Sequence, residues 1–282
     1  MTGAATGPSP VEDLATSFAP QAVVLDVDGT LIDAELRLHP RTEAAVRAAA
    51  ARLPVVLATG RMYRSVLPWA RRLAVTQPLV CYQGALVREI EGAVLLDEGL
   101  EPRAAIRAID VAREHGWHRQ AYLDDELFCE EDRPEAHVYA RIARVDIHFV
   151  DDLAALVGRG STKVVVVDRD PAIVDVAVGE LRRRLGPSAR ITQSFDQFCE
   201  VVSPHVNKAR AVELVCARLG LGIADALAVG DAPNDAEMLA AAGVGVVVRG
   251  ARAEVLAAAD ATCAPPAEGG VADVLEHFGL VG

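Results

Sequence analysis

Aromatic side chains are scarce in this sequence: Phe, Trp and Tyr together supply 4% of its 282 residues. Hydrophobic residues nevertheless reach 51%, so any core rests on Val, Leu, Ile and Ala. No run approaches the roughly 18 uninterrupted apolar residues of a membrane span, which leaves no membrane role to expect. Positive charge is also short. A net charge of −12 argues against nucleic acid as a partner, because a phosphate backbone attracts basic surfaces. A small anion needs only a local positive site and stays open as a ligand. The five cysteines (Cys81, Cys129, Cys199, Cys216 and Cys263) show no metal-ligand or redox spacing, and they read as buried thiols of a cytoplasmic protein. The first twenty residues have neither a basic start nor an apolar stretch, so residues 1–20 read as a flexible tail rather than a signal peptide. Lysine is nearly absent. Of 28 basic residues only Lys163 and Lys208 are lysines, and in so arginine-biased a chain a retained lysine suggests a site that requires a compact ammonium.

Apolar, β-branched runs alternate with Ala/Leu/Arg-rich stretches of helical character. Strands are expected at 22–27, 54–59 and 78–82, with helices over 41–52 and about 63–74. The same alternation returns near the C-terminus, with helix 207–219, strand 225–230, helix 233–241, strand 244–248 and a last helix near 271–278. Uniformly apolar strands separated by helices predict an α/β fold, a doubly wound parallel sheet with helices on both faces. From about 87 to 200 the texture changes. Its strands are less uniformly apolar (RQAYLD, ELFCE, DIHFV), its loops are acidic, and the run TKVVVV and helix 171–185 close the stretch. The chain is therefore expected to hold a core at 21–86 and 201–282 and an inserted α/β cap domain at 87–200.

Ligands of open parallel sheets bind beyond the carboxyl ends of the strands. Asp26-Val27-Asp28-Gly29-Thr30 follows the first strand, Thr59-Gly60-Arg61 the second, and Asp231 with Asn234 and Asp235 the strand 225–230; Lys208 opens the helix before it. Gly29 lets the chain bend, so that Asp26 and Asp28 can approach one point from different sides. With Asp231 they form an oxygen-rich negative pocket suited to Mg²⁺. A cation there would let a phosphate dianion approach carboxylates that otherwise repel it. Dividing the slow hydrolysis of a phosphate ester into two steps through a carboxylate nucleophile is then chemically reasonable.

DVDGT (26–30), ATGR (58–61), Asn207-Lys208 and GDAPND (230–235), in this order, resemble the four motifs of the haloacid dehalogenase superfamily. The insert between the second and third motifs resembles the large cap of its Cof-type phosphatases, and the likeness extends over roughly 22–282, including Gln83-Gly84-Ala85 and GGVADVL at 269–275. The resemblance implies that Asp26 attacks phosphorus, and that Asp28 protonates the leaving oxygen and then activates water. It implies that Thr59, Lys208, Asn234 and the amides of Val27 and Gly60 bind the phosphoryl oxygens. It implies Mg²⁺ held by the carboxylates of Asp26 and Asp231 and the main-chain carbonyl of Asp28, with Asp235 in support. An aspartate at 28 is similar to the superfamily's phosphatases and phosphomutases; its transport ATPases carry threonine there, and its dehalogenases lack this acid. The implied substrate is a small phosphorylated metabolite, a sugar phosphate or similar. A phosphomutase, or a non-catalytic metabolite-binding protein on the same fold, remains the alternative.

Three departures stand out: Gln83 where Asn is common, Ala209 where Gly is usual, and Arg249-Gly250 in place of Gly-Asn. Arg249 can add a cation for a second anionic group. Taken singly, Asp231 reads as a helix cap, Thr59 as a strand end and Lys208 as a surface residue; their joint placement at strand ends favours chemistry. Lys163 reads as structural or rim-facing. His115 and His118 read as surface polarity rather than a zinc site, for want of a third ligand. Tyr122 and Arg133 are candidates for substrate contact. Nothing in the sequence sets an oligomeric state.

Overall fold

Apolar runs from both ends of the chain lie side by side in one parallel sheet. A computed structural model describes residues 7–15 and 17–281. By their contacts these residues form two units: the chain up to Thr59, Pro68–Val80 and everything from Lys208 onward make the first, and Gly60–Leu67 with Cys81–Asn207 make the second. The division leaves 60–67, 81–86 and 201–207 with the second unit, so a cut at 86 and 200 does not follow the contacts. No helix among the described residues is long and apolar enough to cross a membrane.

In the first unit six parallel strands run in the order Ser9–Pro10, Ala261–Cys263, Val244–Val248, Ala226–Gly230, Ala22–Leu25 and Val55–Leu57. Every residue of the last four is buried, as expected where helices cover both faces of a sheet. Helices Pro40–Ala50, Lys208–Arg218, Ala236–Ala241 and Gly270–His277 belong to this unit. Leu25 is in register with both Leu57 and Val229. That register brings the residues after the three strands, Asp26, Ala58-Thr59 and Gly230-Asp231, to one edge of the sheet. Of the expected flexible tail, residues 1–6 and 16 lie outside the described residues. Part of the remainder is not free: Ser9–Pro10 pair with Ala261–Thr262, and Val11 is fully buried next to Gly270–His277. Its apolar side chain finds cover at the sheet edge.

The second unit has its own sheet, ordered Arg190–Thr192, Phe198–Val202, Lys163–Val167, His118–Leu123, Glu126–Cys129 and Ile147–Phe149, antiparallel except for the last pair. Helices Pro102–Glu114 and Pro171–Leu185 share a core with one face of it, where Ala121, Val164, Val166, Cys199 and Val201 meet Ile109, Val174 and Leu181. Strand residues alternate between faces, so Lys163, Tyr122, Gln120 and Glu200 all belong to the opposite face. Each of these four is buried. The strands expected at RQAYLD, ELFCE, DIHFV and TKVVVV and helix 171–185 are present; helix Pro102–Glu114 and strand Phe198–Val202 are further elements of this unit.

Candidate active site

The first strand of the core ends in a tight structure. Asp26 donates its amide to Val229 O at 3.0 Å, and Leu31 and Ile32 donate back to Val27 O, closing a turn over Asp28-Gly29-Thr30. Gly29 has φ +81°, and a Cβ there would lie 2.3 Å from Asp231 Oδ2. No side chain fits without displacing the carboxylate, so glycine at this position sets how closely the two loops approach. Thr30 donates from Oγ1 to Asp231 Oδ1 at 2.9 Å, which fixes the rotamer of that acid.

Lys208, fully buried as the first residue of its helix, links the end of strand Ala22–Leu25 to the turn that precedes helix Ala236–Ala241. Its Nζ lies 2.6 Å from Asp26 Oδ1 and 2.6 Å from Asp235 Oδ1. The other oxygen of Asp235 accepts the amides of Asp231 and Ala232, each at 3.1 Å. Asp235 therefore ties the Gly230–Asp231 loop to Lys208. Asp26, Asp231 and Asp235 each bring one carboxylate oxygen within 4.8 Å of the others. Among the sequence candidates, the structure thus gathers Asp26, Asp231, Asp235 and Lys208. Thr59 is buried at the end of the neighbouring strand, its amide bonded to Val80 O at 2.9 Å. Val27 and Asn234 are buried in the loops beside these groups, and Asp28 is half-buried. Gly60, the next residue after Thr59, groups by its contacts with the second unit.

Three carboxylates against one ammonium leave this pocket with excess negative charge. Burial pushes the Asp26 carboxyl up, Lys208 pulls it down, and the carboxylates of Asp235 and Asp28 lift it again, to about 7 from an ordinary 3.8. Burial, with Asp26 and Asp235 beside it, raises Asp231 well above the usual carboxylate range. Burial works against the charge on Lys208, but Asp235 and Asp26 outweigh it and keep the ammonium protonated. Hard oxygen donors crowded until they resist ionisation fit a divalent cation such as Mg²⁺, whose charge relieves that repulsion.

Between about pH 4 and pH 7 the folded protein keeps a proton on Asp26 that the unfolded chain has released. A carboxyl raised in the folded state costs stability as pH rises through that interval, and a cation must displace its proton. Metal-free protein is therefore expected to lose stability from about pH 5 to 7, with Mg²⁺ restoring more of it at the upper end. Near pH 6.5, roughly one proton should leave per bound ion. Calorimetric titration with Mg²⁺ in two buffers of different ionisation enthalpy measures this; binding without proton release contradicts it.

The sequence model of the haloacid dehalogenase-like hydrolase family matches residues 23–275. The chain belongs to this family. An HMP-PP phosphatase of Cronobacter sakazakii is 30% identical to this haloacid dehalogenase-like hydrolase over 241 residues, 82% of this chain and 85% of that one. The crystal structure of TM0651 from Thermotoga maritima is 30% identical, covers 91% of this chain and 97% of its own, and superposes with a TM-score of 0.78. The HAD subclass IIB sugar phosphatase BT4131, at 21% identity, shares the fold over 93% of this chain and 100% of its own, with a TM-score of 0.82.

Several secondary candidates take other places in this hydrolase. Tyr122 is buried, its hydroxyl donating to Gln120 Oε1 at 2.9 Å, so it does not face a ligand from the surface. Arg133 donates to Gly116 O at 3.1 Å and pairs with Glu131. Arg249 pairs with Glu268 at 3.1 Å, both side chains mostly exposed. His118 is buried rather than on the surface, and burial lowers it to about 4, which keeps the imidazole neutral beside Gln120 and Cys129. His115 stacks on Trp117 at 4.2 Å. Lys163 is not rim-facing: it is 1% exposed and pairs with Glu200 at 2.8 Å. Sequence reasoning missed Glu200 and Thr30. The signal for Glu200 was a lone carboxylate inside the apolar strand FCEVV.

Proposed function

We propose that this haloacid dehalogenase-like phosphatase is a Mg²⁺-dependent hydrolase of small phosphorylated metabolites, sugar phosphates or similar, working through an aspartyl-phosphate on Asp26. The arrangement that carries the reading is a buried Asp26 beside Asp231, tied through one ammonium to Asp235 at the carboxyl ends of parallel strands. The sugar-phosphatase name of a fold neighbour and the HMP-PP phosphatase name of a relative support the substrate class. On this reading the acids and the ammonium of the first unit carry the chemistry, and the second unit holds the cap. Five buried free thiols suit a cytoplasmic site of action.

In the first step an Asp26 oxygen forms a bond to phosphorus as the bond to the ester oxygen breaks, and Asp28 gives its proton to the leaving alcohol. In the second, Asp28 takes a proton from water as that water attacks the phosphorus of the aspartyl-phosphate, releasing phosphate and regenerating Asp26. Thr59, Asn234 and the amides of Val27 and Gly60 orient the phosphoryl oxygens, and Lys208 lends them positive charge while holding Asp26 in place. The Asp26 and Asp231 carboxylates and the Asp28 carbonyl would hold Mg²⁺, with Asp235 in support. When bound, the ion supplies charge that offsets the phosphate dianion and favours ionised Asp26.

Incubation with Mg²⁺ and a hexose phosphate is the direct test. Free sugar and inorganic phosphate are expected, and a chelator should stop their formation. Isomerised sugar phosphate as the main product would make the protein a phosphomutase. Metabolite binding with no turnover over long incubation would make it a sensor.

A further inference from the structure

Both lysines of this arginine-rich chain are buried and paired with carboxylates. The function proposed above uses only Lys208. Lys163 opens the central cap strand Lys163–Val167 and lies across the register from Tyr122. Its Nζ is 2.8 Å from Glu200 Oε1 and stands over three tyrosine rings, 4.9 Å from the centroid of Tyr122, 5.6 Å from Tyr139 and 5.7 Å from Tyr82. Those faces suit a cation. The remaining partner is a backbone carbonyl, Gly60 O, at 3.1 Å.

Gly60 directly follows Thr59, and its surroundings constrain it closely. A Cβ there would lie 2.5 Å from Gln83 Nε2, so the Gln83 amide packs against the glycine while donating to Glu200 Oε2. Ser194 donates to the other oxygen of Glu200 at 3.2 Å. Tyr82 and Gln83 are consecutive non-glycine residues in the left-handed region, φ +52° and +63°. Such backbone persists only where its surroundings enforce it, and it concentrates at functional sites. Beyond Gly60 the second unit binds each following residue: Tyr82 N donates to Arg61 O, Met62 N donates to Tyr139 Oη, and the amides of Tyr63 and Arg64 donate to the Asp125 carboxylate.

We propose that Lys163 and Glu200 are positioning residues for phosphoryl transfer: by holding the Gly60 carbonyl they fix the Gly60–Arg61 peptide and so restrict the glycine whose own amide follows Thr59. The inference rests on the phosphatase reading, in which the Thr59 hydroxyl and the Gly60 amide bind phosphoryl oxygens. A glycine has the freest backbone of any residue, so its amide keeps one direction only if neighbouring groups are held. On one side the Thr59 amide is bonded to Val80 O; on the other Lys163 holds the Gly60 carbonyl. Stability alone is a poor reason for such a pair, because a buried ion pair can usually be replaced by apolar residues of similar volume without loss. Orientation of a donor aimed at developing charge is a better reason, since a small misplacement there is costly to rate.

The double substitution Lys163→Met/Glu200→Leu separates the two roles, because it removes both charges together and strands neither. Thermal stability and Mg²⁺ affinity by calorimetry should stay close to wild type. With a generic aryl phosphate, kcat should fall by roughly 10²-fold and KM should change far less. Vanadate, as a probe of the phosphoryl site, should bind more weakly. A folded double variant with wild-type kcat and vanadate affinity overturns the proposal. If the double variant does not fold, Glu200→Gln takes its place: a loss of roughly tenfold in kcat at unchanged Mg²⁺ affinity supports the proposal, and wild-type kcat overturns it. Wild-type protein that releases no phosphate refutes the phosphatase reading itself. An active wild type beside an equally active variant refutes only the positioning role.

Discussion

Asp26→Asn is expected to reduce Mg²⁺-dependent release of phosphate from an aryl phosphate by roughly 10⁴- to 10⁶-fold, the range found when a covalent nucleophile is lost. Asparagine keeps the shape of the side chain and can still lie against Lys208, so the loss is chemical. Stability should move the other way. Asp26 is a buried carboxyl lifted to about 7, and replacing it with a neutral amide removes a group that resists ionisation beside Asp231 and Asp235. Metal-free Asp26→Asn should therefore melt at or above the wild-type temperature near pH 8, with weakened Mg²⁺ affinity. Retained turnover would remove Asp26 from the role of nucleophile.

Lys208→Met should have the largest effect on stability. Its ammonium, fully buried, is 2.6 Å from Asp26 at a strand end and 2.6 Å from Asp235 at the start of helix Ala236–Ala241. Without it, buried acids face each other with no counter-charge, and breaking a buried pair in this way costs about 3–5 kcal/mol. Acid should partly rescue the variant, because protonation neutralises the same carboxyls; stability should recover as pH falls from about 8 to 5. Added Mg²⁺ should also restore part of it. Activity should drop at least about 10²-fold even where the protein is folded, through loss of charge at the phosphoryl oxygens. Lys208→Arg should not restore activity, since a planar guanidinium does not fit an enclosed site shaped for a compact ammonium. Thermal melts at several pH values, with and without Mg²⁺, read all of this; a Lys208→Met melt matching wild type at pH 8 would show that the pair carries no stability.

How much of this was legible in advance differs from residue to residue. Asp26, Thr59, Lys208 and Asp231 stood out because each follows an apolar run or opens a helix, and a parallel sheet places such positions at one edge. Lys208 had a further mark, its rarity among arginines. Lys163 carried the same mark; of its two readings, structural or rim-facing, the structure agrees with the first, and its partner was not legible because a single cation at the head of a strand has no sequence-local partner. Glu200 lies 37 residues further along the chain. His118 looked like a surface residue for a related reason: nothing in its neighbours announces that strand His118–Leu123 is buried along its polar face.

The sequence by itself determined the α/β alternation, the parallel core and the identities of the acids at its strand ends, because hydrophobic period and chain order act over a few residues at a time. Tertiary structure alone decided that one ammonium would bridge Asp26 and Asp235 from 182 and 27 residues away, and that three tyrosines and a glutamate would enclose another. Such pairings depend on strand order and register, which bring together charges that no local pattern records.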